Sequence, residues 1–418
     1  MFNRGLSLDQ APPFEAVLRF FLTLPFFGLL AAGVMLVAPA EHLTLWDAPA
    51  AVGLVHLTVL GFAAAAMVGA LFQMLPVVAG ATVPRPLFHS RWIHLFLTTG
   101  TLLLAGAFLF ERPSLLFVGP LLLVVALGHL SVMMFARLLR VENKTPSVNG
   151  MIVALASLGF GLVFAVLATL LFLGVDVGLD VGDLRALHLR FMLFGWIGTL
   201  VMAVAFQVIE MFYVTPPYPE TFRRYAPFAV LGLLVAEVPA LLLSEKAVSV
   251  LDAGVALIVM LFALITLKRL SQRKRPVADV TVWLWRTAMG ALALSALFGV
   301  LSLAYAPLFA TAALMFGYFV VSVIVAMSYK IVPFLVWFHL NAKGVLETPL
   351  MGDIVPTSAT RPHLWLHWGV GVFLLAAPWW PTGWRGAGAF LLVSSLLFGY
   401  NLFKAATVWR KLKDKGLL

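Results

Sequence analysis

Twelve times along this chain a stretch of apolar residues is long enough to cross a bilayer, with approximate limits 16–39, 50–80, 91–110, 114–138, 149–175, 184–214, 226–244, 247–268, 280–303, 307–338, 363–379 and 386–409. Inside hydrocarbon no water can pair with a free N–H or C=O, so such stretches must be helical. The pattern therefore predicts an all-α polytopic membrane protein, with residues 1–418 forming one membrane domain in a lipid bilayer. Composition agrees: 62% of residues are hydrophobic and 11% are charged, against about 25% charged in ordinary soluble proteins. The absence of cysteine excludes disulfides and thiolate metal sites. Residues 1–15 are too polar for a signal peptide and the first apolar run is a full span, so no cleavage is expected. The longest connection, 339–362, reads as a loop rather than a domain.

The net charge of +10 points to membrane topology, not to nucleic acid. Alternate span ends carry nineteen Lys and Arg residues, among them Arg85, Arg137, Arg140, Arg223, Lys268, Lys274 and Arg410. The opposite loops carry four: Arg112, Arg185, Lys246 and Arg385. The positive-inside bias therefore places both termini in the cytoplasm.

One motif recurs at a third of the chain. His56-Leu-Thr-Val-Leu-Gly61-Phe leads to Gln73-Met-Leu-Pro76; His188-Leu-Arg-Phe-Met-Leu-Phe-Gly195-Trp leads to Gln207-Val-Ile-Glu210; Phe316-Gly317-Tyr318 leads to Lys330-Ile-Val-Pro333. Gly61 to Gln73 and Gly195 to Gln207 are both twelve residues, and Gly317 to Lys330 is thirteen. The motif falls on the second, sixth and tenth spans, and the fourth, eighth and twelfth each end in a basic stretch. The repeat unit is thus four helices, covering about 16–140, 148–272 and 279–412. Four is even, so the repeats run parallel and imply a pseudo-threefold axis along the membrane normal.

Ionisable residues inside a membrane are costly and mark candidate sites. His56 and His188 lie at matching depth near the outer ends of their spans, which suits a shared ligand role; each alone could be a neutral histidine bonded between helices. His129 could ligate a metal or bond a neighbouring helix. Glu237, in Ala236-Glu237-Val-Pro239, fits either a proton relay or a protonated group satisfying the carbonyl that Pro239 frees. Gln73, Gln207, Glu210 and Lys330 sit at the cytoplasmic ends of the repeated helices. They could form a polar plug or a Glu210–Lys330 ion pair, or reach water at the interface. His363 and His367, four apart beside Trp365 and Trp368, fit a metal or an interfacial belt. With His339, His89 and His94 on the same side, copper or zinc is conceivable there. Gly61, Gly195 and Gly317 permit close approach of a helix or a macrocycle.

The run His56-x4-Gly61-Phe with Gly69-Ala-Leu-Phe-Gln-Met-Leu-Pro76 resembles the tenth helix of heme-copper oxidase subunit I, where a His five residues before Gly ligates the low-spin heme. His188-x-x-x-Met192-Leu-Phe-Gly195-Trp resembles the second helix of those oxidases and a similar run in the NnrS family. The resemblance implies twelve helices with a pseudo-threefold, a bacterial inner membrane, and a heme b held by His56 and His188. It implies cofactor contacts at Gly61 and Gly195, and Arg190 paired with a propionate. The departures are specific. The seventh span has no histidine where the oxidases supply a copper pair, and Ala312 and its neighbours leave the tenth span without a high-spin heme ligand. The implied role is electron transfer with a quinone or cytochrome donor, or nitric-oxide handling, rather than oxygen reduction. A transporter for a small molecule or metal is the alternative, since parallel repeats, Glu237 and the Gln/Glu/Lys cluster also suit that class.

Overall fold

The computed structural model describes residues 8–414, apart from 242, 276, 346 and 347, with the side chains of 8 and 411–414 undescribed. Among the described residues all regular structure is helical. Twelve long helices follow one another: α1 Phe14–Val37, α2 Pro49–Ala79, α3 Pro86–Leu109, α4 Leu115–Leu139, α5 Pro146–Phe172, α6 Val181–Tyr213, α7 Glu220–Ala240, α8 Glu245–Ser271, α9 Val280–Leu301, α10 Leu308–Ala342, α11 Thr357–Ala376 and α12 Thr382–Asp414. Short helical turns at Ala40–Thr44 and Met351–Ile354 sit in the loops. Ten of the twelve are long and apolar enough to cross a membrane. The other two, α7 and α11, are diluted by polar residues: Glu220, Arg223, Arg224 and Glu237 in α7, and Arg361, His363 and His367 in α11. Leu95, Phe117, Val132, Leu257, Val372 and Leu396 point outward and are exposed. Such an apolar exterior is stable only against lipid, so the protein is a polytopic helical membrane protein.

Several helices run past the apolar limits because their ends carry good caps. Thr145, Asp180, Ser244 and Asp279 accept hydrogen bonds from the first free N–H groups of α5, α6, α8 and α9. Pro49, Pro86 and Pro146 occupy the first turn of α2, α3 and α5, where their missing N–H costs nothing. Helix α10 continues to Ala342 and α11 begins at Thr357, so the loop expected over 339–362 is shorter.

The helices pack in a regular order. Helix α1 packs on α2 and α3, and α3 on α4; α5 packs on α6 and α7, and α7 on α8; α9 packs on α10 and α11, and α11 on α12. Helix α4 joins α5, α8 joins α9, and α12 returns to α1, closing a ring. Helices α2, α6 and α10 carry a large share of the buried side chains and together line a cavity.

Helices α2 and α6 share an irregularity. Each widens into a π-helical segment, Leu57–Ala64 in α2 and Phe191–Gly198 in α6. There the backbone bonds reach one residue further: Ala65 N–H donates to Leu60 C=O, and Thr199 N–H to Phe194 C=O. Both segments begin four residues before the motif glycine, Gly61 or Gly195. Such bulges are rare and often accompany functional sites.

Candidate functional site

His56 ends the regular turn that precedes the π segment of α2. Its Nδ1 lies 2.8 Å from Val52 C=O. A carbonyl can only accept, so Nδ1 carries the proton and Nε2 the lone pair. His188, one turn before the π segment of α6, makes the corresponding bond across helices: its Nδ1 donates to Gly161 C=O of α5 at 3.0 Å. Its Nε2 is likewise left with a lone pair. The His56 ring lies parallel to Phe108 of α3, with centroids 5.9 Å apart. Both side chains are half-buried. Other buried histidines have already spent Nε2 within the protein: His363 on Ser394, His367 on Ser322 and His94 on Thr23.

A metal-bound imidazole typically donates its second nitrogen to a carbonyl or carboxylate, which fixes tautomer and ring plane. His56 and His188 both have that arrangement, on the two helices that carry π segments. Two imidazoles with unspent Nε2 lone pairs are donors of the kind that bind heme iron. Gly61 and Gly195, expected to let a macrocycle approach, serve helix packing instead. A Cβ on Gly61 would strike the Phe27 ring of α1, and one on Gly195 would meet Ser157 of α5 and Leu234 of α7. Both glycines therefore seat the motif helix against the first helix of its own group.

Arg190 stands in α6 where His56 stands in α2, immediately before the π segment. Rather than being left for a propionate, its guanidinium is held bidentate by Asp252 of α8, at 2.8 and 2.7 Å. Glu237 of α7 adds a third charge, with Oε2 3.2 Å from Arg190 Nε. Glu237 is 0% exposed and neither of its oxygens accepts a well-formed hydrogen bond. It therefore answers the Arg190 charge rather than the Pro239 carbonyl. Asp252 escaped the sequence reading, although an aspartate inside an apolar run such as Ala247–Leu267 is the signal that should have flagged it.

The polar plug does not assemble. Lys330 Nζ bonds Asp279 Oδ2 at 2.5 Å, not Glu210. Glu210 accepts from the Tyr218 N–H at 3.2 Å. Gln207 is half-buried, and Gln73 is buried with both amide atoms unpartnered. Lys330 and Glu210 turn toward different neighbours, Asp279 and Tyr218.

His129 bonds a neighbouring helix, one of the two roles expected of it, and is exposed. Its Nε2 lies 3.2 Å from His89 Nδ1, with Trp92 edge-on to its ring. His363 and His367, by contrast, depart from the belt expected of them. They are 1% and 2% exposed, so they form no interfacial belt. Asn401 donates to the Tyr329 hydroxyl (3.0 Å), which donates to His363 Nδ1 (2.7 Å), whose Nε2–H then meets Ser394 (2.8 Å). Among the described residues no group of three or more His, Asp or Glu gathers as a metal site. His89, His94 and His339 in particular have separate partners.

Fold and composition thus define the class: a helical integral membrane protein, with two half-buried imidazoles on its two π-bulged helices. The sequence matches no protein-family model and no curated protein.

Proposed function

We propose that the protein is a heme b-binding integral membrane protein related to heme-copper oxidase subunit I and the NnrS proteins, with His56 and His188 as axial ligands to one low-spin heme. The observation that carries this reading is the matched second bond of each histidine, Nδ1 to a backbone carbonyl, which leaves both Nε2 lone pairs free. A heme so held supplies one-electron transfer, and the role is electron transfer or nitric-oxide handling. Oxygen reduction is not part of it, since α7 has no histidine and α10 has only His339, near its end. The twelve helices are read as twelve spans in three parallel four-helix units. The repeated packing order and the matched π segments of α2 and α6 support this. Both termini are read as cytoplasmic in a bacterial inner membrane, with a quinone or cytochrome as electron donor.

An absorption spectrum tests the reading. Protein expressed with ample heme should show a low-spin bis-histidine Soret and α band on reduction. A colourless preparation would favour the second reading, a transporter. That reading draws on the Arg190–Asp252–Glu237 triad, three charges inside the helical bundle that binding of a heme does not require.

A further inference from the structure

A cavity of about 110 Å³ lies where α2, α6 and α10 meet, closed at the sides by Phe21 of α1 and Trp285 of α9. Gln73, the one amide in its wall, is 6% exposed, and neither its Oε1 nor its Nε2 has a hydrogen-bond partner. Leaving such groups unpaired costs about 1–3 kcal/mol each. The rest of the wall offers no group to pair with them. The Trp285 N–H makes no well-formed bond either, and its polar neighbour is the Tyr213 hydroxyl. The amide is therefore completed from outside the chain.

What could complete it is limited by the surroundings. No charged side chain lines the cavity, so an ion would be stranded there. A buried water needs two to four polar partners, and Gln73 alone supplies them. An apolar cavity of ~150 Å³ is known to stay dry and admit one aromatic ring, which is the size class found here. The walls suit a flat ring: Met74, Met211 and Met327 are soft and adaptable, and Phe212, Phe334 and Trp285 are aromatic. An amide can serve either oxidation state of such a ring, donating from Nε2 to a carbonyl or accepting at Oε1 from a hydroxyl.

We infer that this cavity is a binding site for a neutral single-ring quinone or its quinol, with the ring among the methionines and aromatics and one oxygen on Gln73. Gln73 lies seventeen residues beyond His56 on the same helix, on the order of 25 Å along its axis. The site is therefore separate from the histidine pair; it rests on the proposed function only in giving the quinone named there a place, and not on the heme ligands.

Equilibrium dialysis of 2,6-dimethyl-1,4-benzoquinone against the detergent-solubilised full chain tests it, with empty micelles as the partition baseline. The expected result is saturable binding of one quinone per chain. It should weaken about tenfold in Gln73→Leu, a swap that conserves shape, and vanish in Ala70→Phe, which fills the cavity. Should Ala70→Phe fail to fold, Val204→Phe fills the same space from α6. Binding should persist in the double variant His56→Ala/His188→Ala, so a failed heme assignment and a failed quinone site are told apart. A decyl-tailed quinone that binds as well as the bare ring identifies a lipid-soluble source; one that binds only without the tail identifies a small free quinone. Saturable binding that Gln73→Leu leaves unchanged, benzene binding as tightly as the quinone, or no saturable binding at all would each overturn the inference.

Discussion

At the scale of single residues, function rests on how the second nitrogen of each imidazole is used. His56 and His188 hold Nε2 free because Val52 and Gly161 carbonyls take Nδ1–H. His129, whose Nε2 is bonded to His89, does not. We expect His56→Ala and His188→Ala each to turn a low-spin heme spectrum high-spin or to abolish it, and His129→Ala to leave it unchanged. A heme lost with His129 but retained without His188 would reassign the ligand to α4. The charged triad makes a second prediction. Arg190→Met strands Glu237 in the interior, and breaking a buried pair from one side costs about 3–5 kcal/mol. The variant should lose much of its thermal stability in detergent, and adding Glu237→Gln should restore part of it. If Arg190→Met melts with the wild type, the triad contributes nothing to the fold.

Helices are decided by their ends and by where they approach one another. Asp279 both caps α9 and binds Lys330 of α10. Burial works against its charge, but the Lys330 ammonium, Thr281 and the Val282 N–H outweigh it and hold the carboxyl below the ordinary carboxylate range. A carboxyl lowered in the folded state stabilises above its unfolded pKa of about 3.9, and the contribution disappears as pH falls through the lower folded value. Asp279→Asn keeps a competent cap but removes the charge. It should cost at most about 1 kcal/mol at neutral pH, since the carboxylate is partly exposed, and the cost should shrink below about pH 4. A cost that is equal at pH 7 and pH 3 would mean the cap, not the ion pair, is what matters. Gly61→Val tests packing: Phe27 occupies the space a side chain needs, so about 1–3 kcal/mol or more is lost. Denaturation monitored in detergent should show it, whereas Gly33→Ala, with open space beside it, should not.

For the molecule as a whole, the packing order closes a ring, α12 against α1, and leaves α2, α6 and α10 lining the cavity. Pairs drawn from these three helices carry the histidines and the cavity wall, so function is expected inside the ring and lipid outside it. The proposed topology of twelve spans puts both termini on one side. Tags at both termini should be reached by impermeant reagents only after the membrane is opened to the cytoplasmic side. An N-terminal tag labelled in intact cells would overturn the twelve-span reading or its orientation. The same ring predicts no rapid, cyanide-sensitive oxygen uptake with a quinol or cytochrome donor, because no second set of histidines faces the interior from α7.

Sequence by itself determined that this chain is a bundle of membrane helices, because long apolar runs with so few charges have no other way to satisfy their backbone in lipid. It also marked the motif helices, since an interval kept from Gly61–Gln73 to Gly195–Gln207 is legible without coordinates. What it could not determine is direction. Depth along a helix is read from position, but which neighbour a side chain meets depends on rotation about the helix axis, and each residue turns it by about 100°. A π segment adds a further offset that hydropathy does not reveal. That is why His363 and His367 read as a surface belt but lie in the interior. It is also why Lys330 meets Asp279 rather than Glu210, and why Arg190 closes on Asp252 and Glu237. Tertiary structure alone decided those partners, because each is set by how helices distant in sequence are rotated against one another.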